Sequence, residues 1–211
     1  MSQTTPSDLT ARARLRMAAL RLFADKGFAA TSTRAIATEA GVSHALLRHH
    51  YGSKDGLRRA VDEEVLHTFD RVLADLDTAA APGGALAALG TVTARLFGED
   101  EVHRHYLRRS LLEGSEASTE LFARLLEGAR RHLALLGVGH DVGDDTAGSD
   151  LLWAPYQALF LILGPMLLEP VMRSTLHGPV FAPEILSDRS ASNQRLLARG
   201  LGIDSDARDP S

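Results

Sequence analysis

The sequence predicts an all-α protein: a three-helix head built on a helix-turn-helix, followed by a helical body, about nine helices in all. Three observations carry this. Apolar residues recur at three- and four-residue intervals, as in Leu15, Ala18, Ala19, Leu22 and Phe23, and again in Leu57, Val61, Val65, Leu66 and Phe69. Residues 31–54, TSTRAIATEAGVSHALLRHHYGSK, read as a helix, a tight Gly-centred turn and a second short helix. The 211 residues are 45% hydrophobic and 24% charged, an ordinary globular composition. That length accommodates a small head and a body of about 150 residues.

The first helix is expected from Ser7 or Asp8 to Lys26, with Ser7 as N-cap and Gly27 as the C-terminal stop. Its apolar set faces a core, Arg12 and Arg16 stay outward, and Phe28 is placed to fold back onto the helix end. Thr31, Ser32 and Thr33 supply hydroxyls at a second helix start, where backbone N–H groups without helical partners suit a phosphate. Ile36, Ala37 and Ala40 form the buried face of that helix, Gly41 makes the turn, and Val42 fills the corner. Ser43 caps a third helix over 44–51. Leu47 and Tyr51 face inward, with Leu46 or His50 sharing their face, which leaves Ser43, His44, Ala45, Arg48 and His49 outward. Short residues near a helix N-terminus with cations farther along are what a helix reading the major groove of DNA requires.

A fourth helix, capped by Ser53, keeps its apolar period to about residue 80 and ends at Pro82-Gly83-Gly84. Helices near 85–97, 102–112 and 118–136 follow, then a surface loop rich in Gly and Asp over 137–149. Residues 151–168, LLWAPYQALFLILGPMLL, are apolar almost all round and long enough to invite a membrane span. Against a span, Pro155, Gly164 and Pro165 interrupt the run, Gln157 is polar, and Asp150 and Glu169 flank it. The reading is no membrane: the helix, kinked at Pro165, packs one face on its own core and another on a second subunit. A last helix over 183–199, with Ile185, Leu186, Leu196 and Leu197, supplies the rest of a four-helix contact between two chains. The domains are then a head at 1–53, a body at 54–202 and a flexible tail at 203–211.

Charge is distributed unevenly. Residues 1–60 hold ten Lys and Arg against four acids, a net +6, and since the whole chain carries −4 the remainder carries −10. A basic head on an acidic body suits a phosphate-binding module joined to a domain that does not touch nucleic acid. The chain has no cysteine, which excludes disulfides, thiolate metal sites and a Cys nucleophile. Its start is polar and then basic without a following apolar stretch, so no secretory signal is expected and the cytoplasm is the default. No catalytic residues are assigned and no enzyme is expected: the chain has no HExxH, G-x-S-x-G, Walker loop or dinucleotide fingerprint. His103, His105 and His132 can be imagined as metal ligands, but no metal site or cofactor is assigned to them.

Residues 27–37, GFAATSTRAIA, followed by Ala40-Gly41-Val42-Ser43 and by residues 50–57, HYGSKDGL, resemble the DNA-binding head of the TetR-type (TetR/AcrR) transcriptional regulators. The resemblance covers roughly residues 10–60. It implies a homodimeric, one-component regulator that binds a palindromic operator in double-stranded DNA. Its divergent helical body binds a small effector and dimerises, and the usual action is repression of nearby genes, relieved by that effector. Carried across position by position, Thr33 and Lys54 match positions that hold operator phosphates. Arg34 and His44 match positions that reach base edges, with Ser43 and Ala45 beside them. Arg48 stands where the family commonly has a tyrosine, which leaves it open between a phosphate and guanine O6 and N7. His49 and His50 are read either as phosphate contacts or as packed or solvated helix residues, and Arg34 has an ion pair with a nearby acid as its alternative. Histidines gain charge below neutrality, so DNA binding is expected to tighten at lower pH.

The effector site is faintly written. His103, Tyr106, Phe122, Trp153, Tyr156 and Met166 are its candidates, although the favoured reading of each is core or interface filler. The apolar interior suggests a hydrophobic or amphipathic effector. A metal-responsive regulator and an effector-independent DNA-binding protein are the alternatives, the second disfavoured by a body far larger than a DNA reader needs.

Overall fold

The computed structural model of the chain describes residues 6–74, 93–98, 100–135 and 145–200. Among the described residues are eight α-helices, one π-helical turn and no strand. The helices are α1 (Pro6–Lys26), α2 (Thr33–Ala40), α3 (His44–Tyr51) and α4 (Lys54–Ala74), then, after the π-helical turn at Ala94–Gly98, α5 (Glu101–Leu112), α6 (Glu116–Leu135), α7 (Asp145–Met172) and α8 (Pro183–Gly200). They form two compact units, Met1–Thr68 with Glu101–Leu121, and Phe69–Asp100 with Phe122–Ser211. Helices α4 and α6 each continue from one unit into the other.

In the first unit α1 is the central support, packed against α2, α3 and α5. It begins at Pro6, a residue or two before the expected start, because a proline at the first helical position loses no hydrogen bond and already has a helical φ. Leu15, Ala18, Ala19 and Phe23 are buried on α1, as are Ile36, Ala37 and Ala40 on α2, Leu47 on α3, and Leu57, Val61 and Val65 on α4. Each fully buried Leu or Ile of this set contributes about 2 kcal/mol. Gly27 ends α1 at φ +84°, and Phe28 folds back so that its ring centroid lies 5.3 Å from that of Phe23. Thr31 departs from expectation. It is buried, and its hydroxyl donates to the carbonyls of Gly27 (2.7 Å) and Leu22 (3.2 Å), so it ties the loop to the end of α1 and leaves the start of α2 to Ser32.

In the second unit the described residues differ from the sequence reading at 94–98, at 145–149 and beyond 168. The helix expected over 85–97 is described only at its end, where residues 94–98 form a π-helical turn with Gly98 under Leu186 of α8; a Cβ there would lie 3.1 Å from that side chain. The expected loop over 137–149 lies outside the described residues up to 144, and 145–149 are already helix. Helix α7 also runs past 168 to Met172 through Pro155, Pro165 and Pro170, its last turn supported by Glu169 and Arg173 at 3.0 Å.

One face of α7 is buried through Ala154, Ala158, Leu159, Leu163 and Met166, with Leu133 of α6 packed on the two alanines. The opposite face is a bare apolar stripe: Leu152, Trp153, Phe160, Leu168 and Val171 are each more than half exposed. The 21 residues Leu152–Met172 are long and apolar enough to cross a membrane, and 39% of an 18-residue window within them is buried in the fold.

Candidate nucleic-acid interface

The geometry of α2 and α3 is set by serines and glycines. Ser32 Oγ accepts the Ala35 N–H at 3.1 Å, Ser43 Oγ accepts that of Leu46 at 3.3 Å, and Ser53 Oγ accepts that of Gly56 at 3.0 Å. α2, α3 and α4 therefore each start on a serine cap, worth about 1 kcal/mol apiece. Gly41, at φ +62°, donates its N–H back to the end of α2 and accepts Arg14 Nη2 of α1 at 3.3 Å on its carbonyl. A second sharp corner follows α3. Gly52 sits at φ +71°, and Gly56 passes so close that a Cβ on it would lie 2.1 Å from the Tyr51 carbonyl oxygen.

With both ends fixed, α3 buries Leu47, half-buries Leu46, His50 and Tyr51, and leaves Ser43, His44, Ala45, Arg48 and His49 exposed. The His49 and His50 rings meet edge-on at 5.1 Å. Tyr51 donates its hydroxyl to the Arg12 carbonyl at 2.7 Å, and burial raises its pKa. Arg34 is exposed in the first turn of α2, while Glu39, the acid of that helix, pairs with Arg21 of α1 at 3.3 Å. Thr33 and His44, the first residues of α2 and α3, meet directly, with Thr33 Oγ1 and His44 Nε2 2.9 Å apart. Which of them donates depends on the imidazole tautomer.

Lys54 opens α4 and lies half-buried, its Nζ 4.2 Å from the centroid of the Phe28 ring. Partial burial lowers its pKa, opposed by the charges of Asp55 and Glu113. The same ring carries the Arg58 guanidinium at 4.8 Å. Arg58 is buried and pairs with Glu113 at 2.8 Å and with Asp62 at 3.9 Å. From α5, Arg109 donates Nε to the Ala24 carbonyl (3.2 Å) and Nη2 to that of Asp25 (2.7 Å), satisfying carbonyls that the end of α1 leaves open. Reasoning from the sequence missed Phe28 as a platform, Gly56 as a close approach, and Arg58, Arg109 and Glu113 altogether. Only Phe28 had a local signal, its place after a stop glycine.

The expected effector residues divide between the two units. His103 and Tyr106 belong to the first, where Tyr106 is fully buried, packs near Phe23 and donates its hydroxyl to Asp62 at 2.6 Å. Burial and that carboxylate push the Tyr106 pKa well up. Phe122, Trp153, Tyr156 and Met166 belong to the second. There Tyr156 stands between Phe122 (6.3 Å), Trp153 (5.4 Å) and Phe160 (6.4 Å), and Met166 is fully buried on the core face. Among the described residues no group of three or more His, Asp or Glu side chains could hold a metal ion.

Residues 15–61 match the family described as bacterial regulatory proteins, tetR family. Over 129 residues the chain is 37% identical to the HTH-type transcriptional regulatory protein RaaS of Mycobacterium tuberculosis, an alignment covering 60% of this chain and 57% of that protein. Over 91 residues it is 37% identical to the HTH-type transcriptional repressor KstR2 of Mycolicibacterium smegmatis, covering 42% and 44%. The chain thus spans about half the length of the curated relatives it matches. Its fold is similar to that of a transcriptional regulator from Rhodococcus sp. Rha1, with a TM-score of 0.65 at 20% identity over 90% of this chain and 96% of that one.

Proposed function

Because residues 15–61 match the tetR family of bacterial regulatory proteins, we propose that the chain is a TetR-type regulator: a cytoplasmic, homodimeric repressor of nearby genes, released from a palindromic operator by a small hydrophobic or amphipathic effector. The observation that carries this reading is α3 itself, capped by Ser43, anchored by Leu47, and turning His44, Ala45, Arg48 and His49 to solvent as one surface. On DNA, Thr33, Lys54, His49 and His50 take phosphates, Arg34, Ser43, His44 and Ala45 face base edges, and Arg48 reaches either a phosphate or a guanine. Titrations of the full chain on its selected duplex, compared with single-base variants of it, test these roles. Lys54→Ala is expected to weaken binding to all sequences alike by about tenfold, while Arg34→Ala relaxes preference at one base pair. Uniform loss from both, or from neither, contradicts the assignment.

Histidines gain charge below neutrality, so falling pH strengthens binding. His44→Ala removes the contact with Thr33 as well as one of the histidines of the α3 surface, so it is the variant that tests the expected pH dependence. At fixed salt, affinity is expected to rise about threefold from pH 8 to pH 6, and less in His44→Ala; equal pH dependence in the two proteins refutes the idea.

The stripe of α7 is read as the face of the second subunit. Three prolines and Gln157 interrupt it as a lipid-facing span, and Leu196 of α8 is a further exposed apolar residue. The cluster of Phe122, Tyr156 and Trp153, with Met166 on the core side of α7, is the proposed effector region of the body.

A further inference from the structure

We infer that Glu113 is a positioning residue for DNA binding, holding Lys54 in place through the ring of Phe28. This rests on the reading of Lys54 as a phosphate contact. Glu113 stands in the turn after α5, 85 residues from Phe28, yet its Oε1 accepts the Phe28 N–H at 3.2 Å. Its Oε2 pairs with Arg58 Nη1 at 2.8 Å. Arg58 is only 6% exposed and requires a counter-charge. Its other acid, Asp62, lies farther away at 3.9 Å and already accepts the Tyr106 hydroxyl, so the close ion pair is the one with Glu113.

Phe28 is thereby held by three sets of contacts: its N–H on Glu113, its ring against Phe23, and the Arg58 and Lys54 cations over that ring. Lys54 lies over the ring with a side chain of four rotatable bonds. Ordering such a chain costs entropy, and a ring that holds the ammonium before DNA arrives removes part of that cost from binding. Without the Glu113 charge, Arg58 turns toward Asp62 or water, and Phe28 loses both the acceptor charge at its N–H and the guanidinium over its ring. Lys54 keeps its charge but not its place.

A double-mutant cycle on the full chain tests this, with affinity for the selected duplex measured across a salt series and thermal unfolding recorded for every variant. Glu113→Gln, which keeps an acceptor for the Phe28 N–H, is expected to weaken binding about fivefold with the salt slope near that of wild type. Lys54→Ala is expected to weaken it about tenfold and lower the slope by about one ion per protomer. In the Lys54→Ala background, Glu113→Gln is expected to add nothing. Phe28→Leu, which keeps an apolar side chain without the ring, is expected to couple to Lys54 in the same way should Glu113→Gln prove too unstable. Equal loss from Glu113→Gln with and without Lys54, or no loss in either, overturns the positioning role alone. Binding of Lys54→Ala at the wild-type level with the wild-type slope overturns the phosphate reading and the positioning role with it.

Discussion

Gly56→Ala is expected to abolish specific DNA binding and to lower the stability of the chain by about 3 kcal/mol. The added methyl would sit 2.1 Å from the Tyr51 carbonyl oxygen and 3.2 Å from its carbon, and both are backbone atoms, so no side chain can rotate away. Relief requires the end of α3 or the start of α4 to move. The first displaces Arg48 and His49, and the second displaces Lys54 and disrupts the Ser53 cap bonded to the Gly56 N–H. Gly52→Ala is the informative control. Unlike Gly56 it has a positive φ, +71°, with ψ −52° outside the left-handed helical region, but open space around the missing Cβ, so a backbone cost of about 2 kcal/mol without any clash is expected. Thermal unfolding and titration of the selected duplex separate the two. Wild-type affinity in Gly56→Ala would show that the corner between α3 and α4 does not set the reading surface.

Phe160→Glu is expected to have the second large effect, converting a dimer to a monomer and weakening operator binding by a hundredfold or more. Phe160 is 56% exposed midway along the stripe that also holds Trp153, Leu168 and Val171. Gly164 lies one turn farther on with nothing within 4 Å of its missing Cβ, which leaves room for another helix to come close. In a two-fold contact each substitution is made twice, so two carboxylates enter an apolar interface without partners, at several kcal/mol. A monomer holds one half-site and forfeits the joint binding of two linked heads. Light scattering on the wild type and the variant at micromolar concentration decides it. A monomeric wild type, or a variant that stays dimeric, removes α7 as the subunit interface.

The parts of this fold that were legible in the sequence are those governed by local terms. Ser43 caps α3, Gly41 turns the chain, and Ile36, Ala37, Ala40 and Leu47 face the core because caps, positive φ and a period of 3.6 act within a few residues. Thr31 shows the limit, since its hydroxyl suited the cap of α2 as well as the end of α1, and only burial against Leu22 and Gly27 decided between them. Contacts made across the chain left no trace. Arg14 reaches Gly41 from 27 residues away, Arg109 reaches Ala24 from 85, and Glu113 reaches Phe28 from 85, and each side chain alone reads as a solvated charge. The same applies to Lys54, chosen from its place in a motif, whose platform on Phe28 appears only when the first turn of α4 meets the end of α1. The effector residues were least legible, because an aromatic at helical spacing has the same pattern whether it fills a core, an interface or a ligand cavity, as Tyr106 and Trp153 illustrate at opposite extremes of burial.

Selection of duplexes from a random library by the full chain, followed by the mass of the complex on the enriched sequence, tests the central claim most directly. The account predicts an inverted repeat whose half-sites are centred about one helical turn apart or a multiple of it, bound by an even number of chains. Recovery of no preferred sequence, or of a single unrepeated site holding one chain, would contradict it.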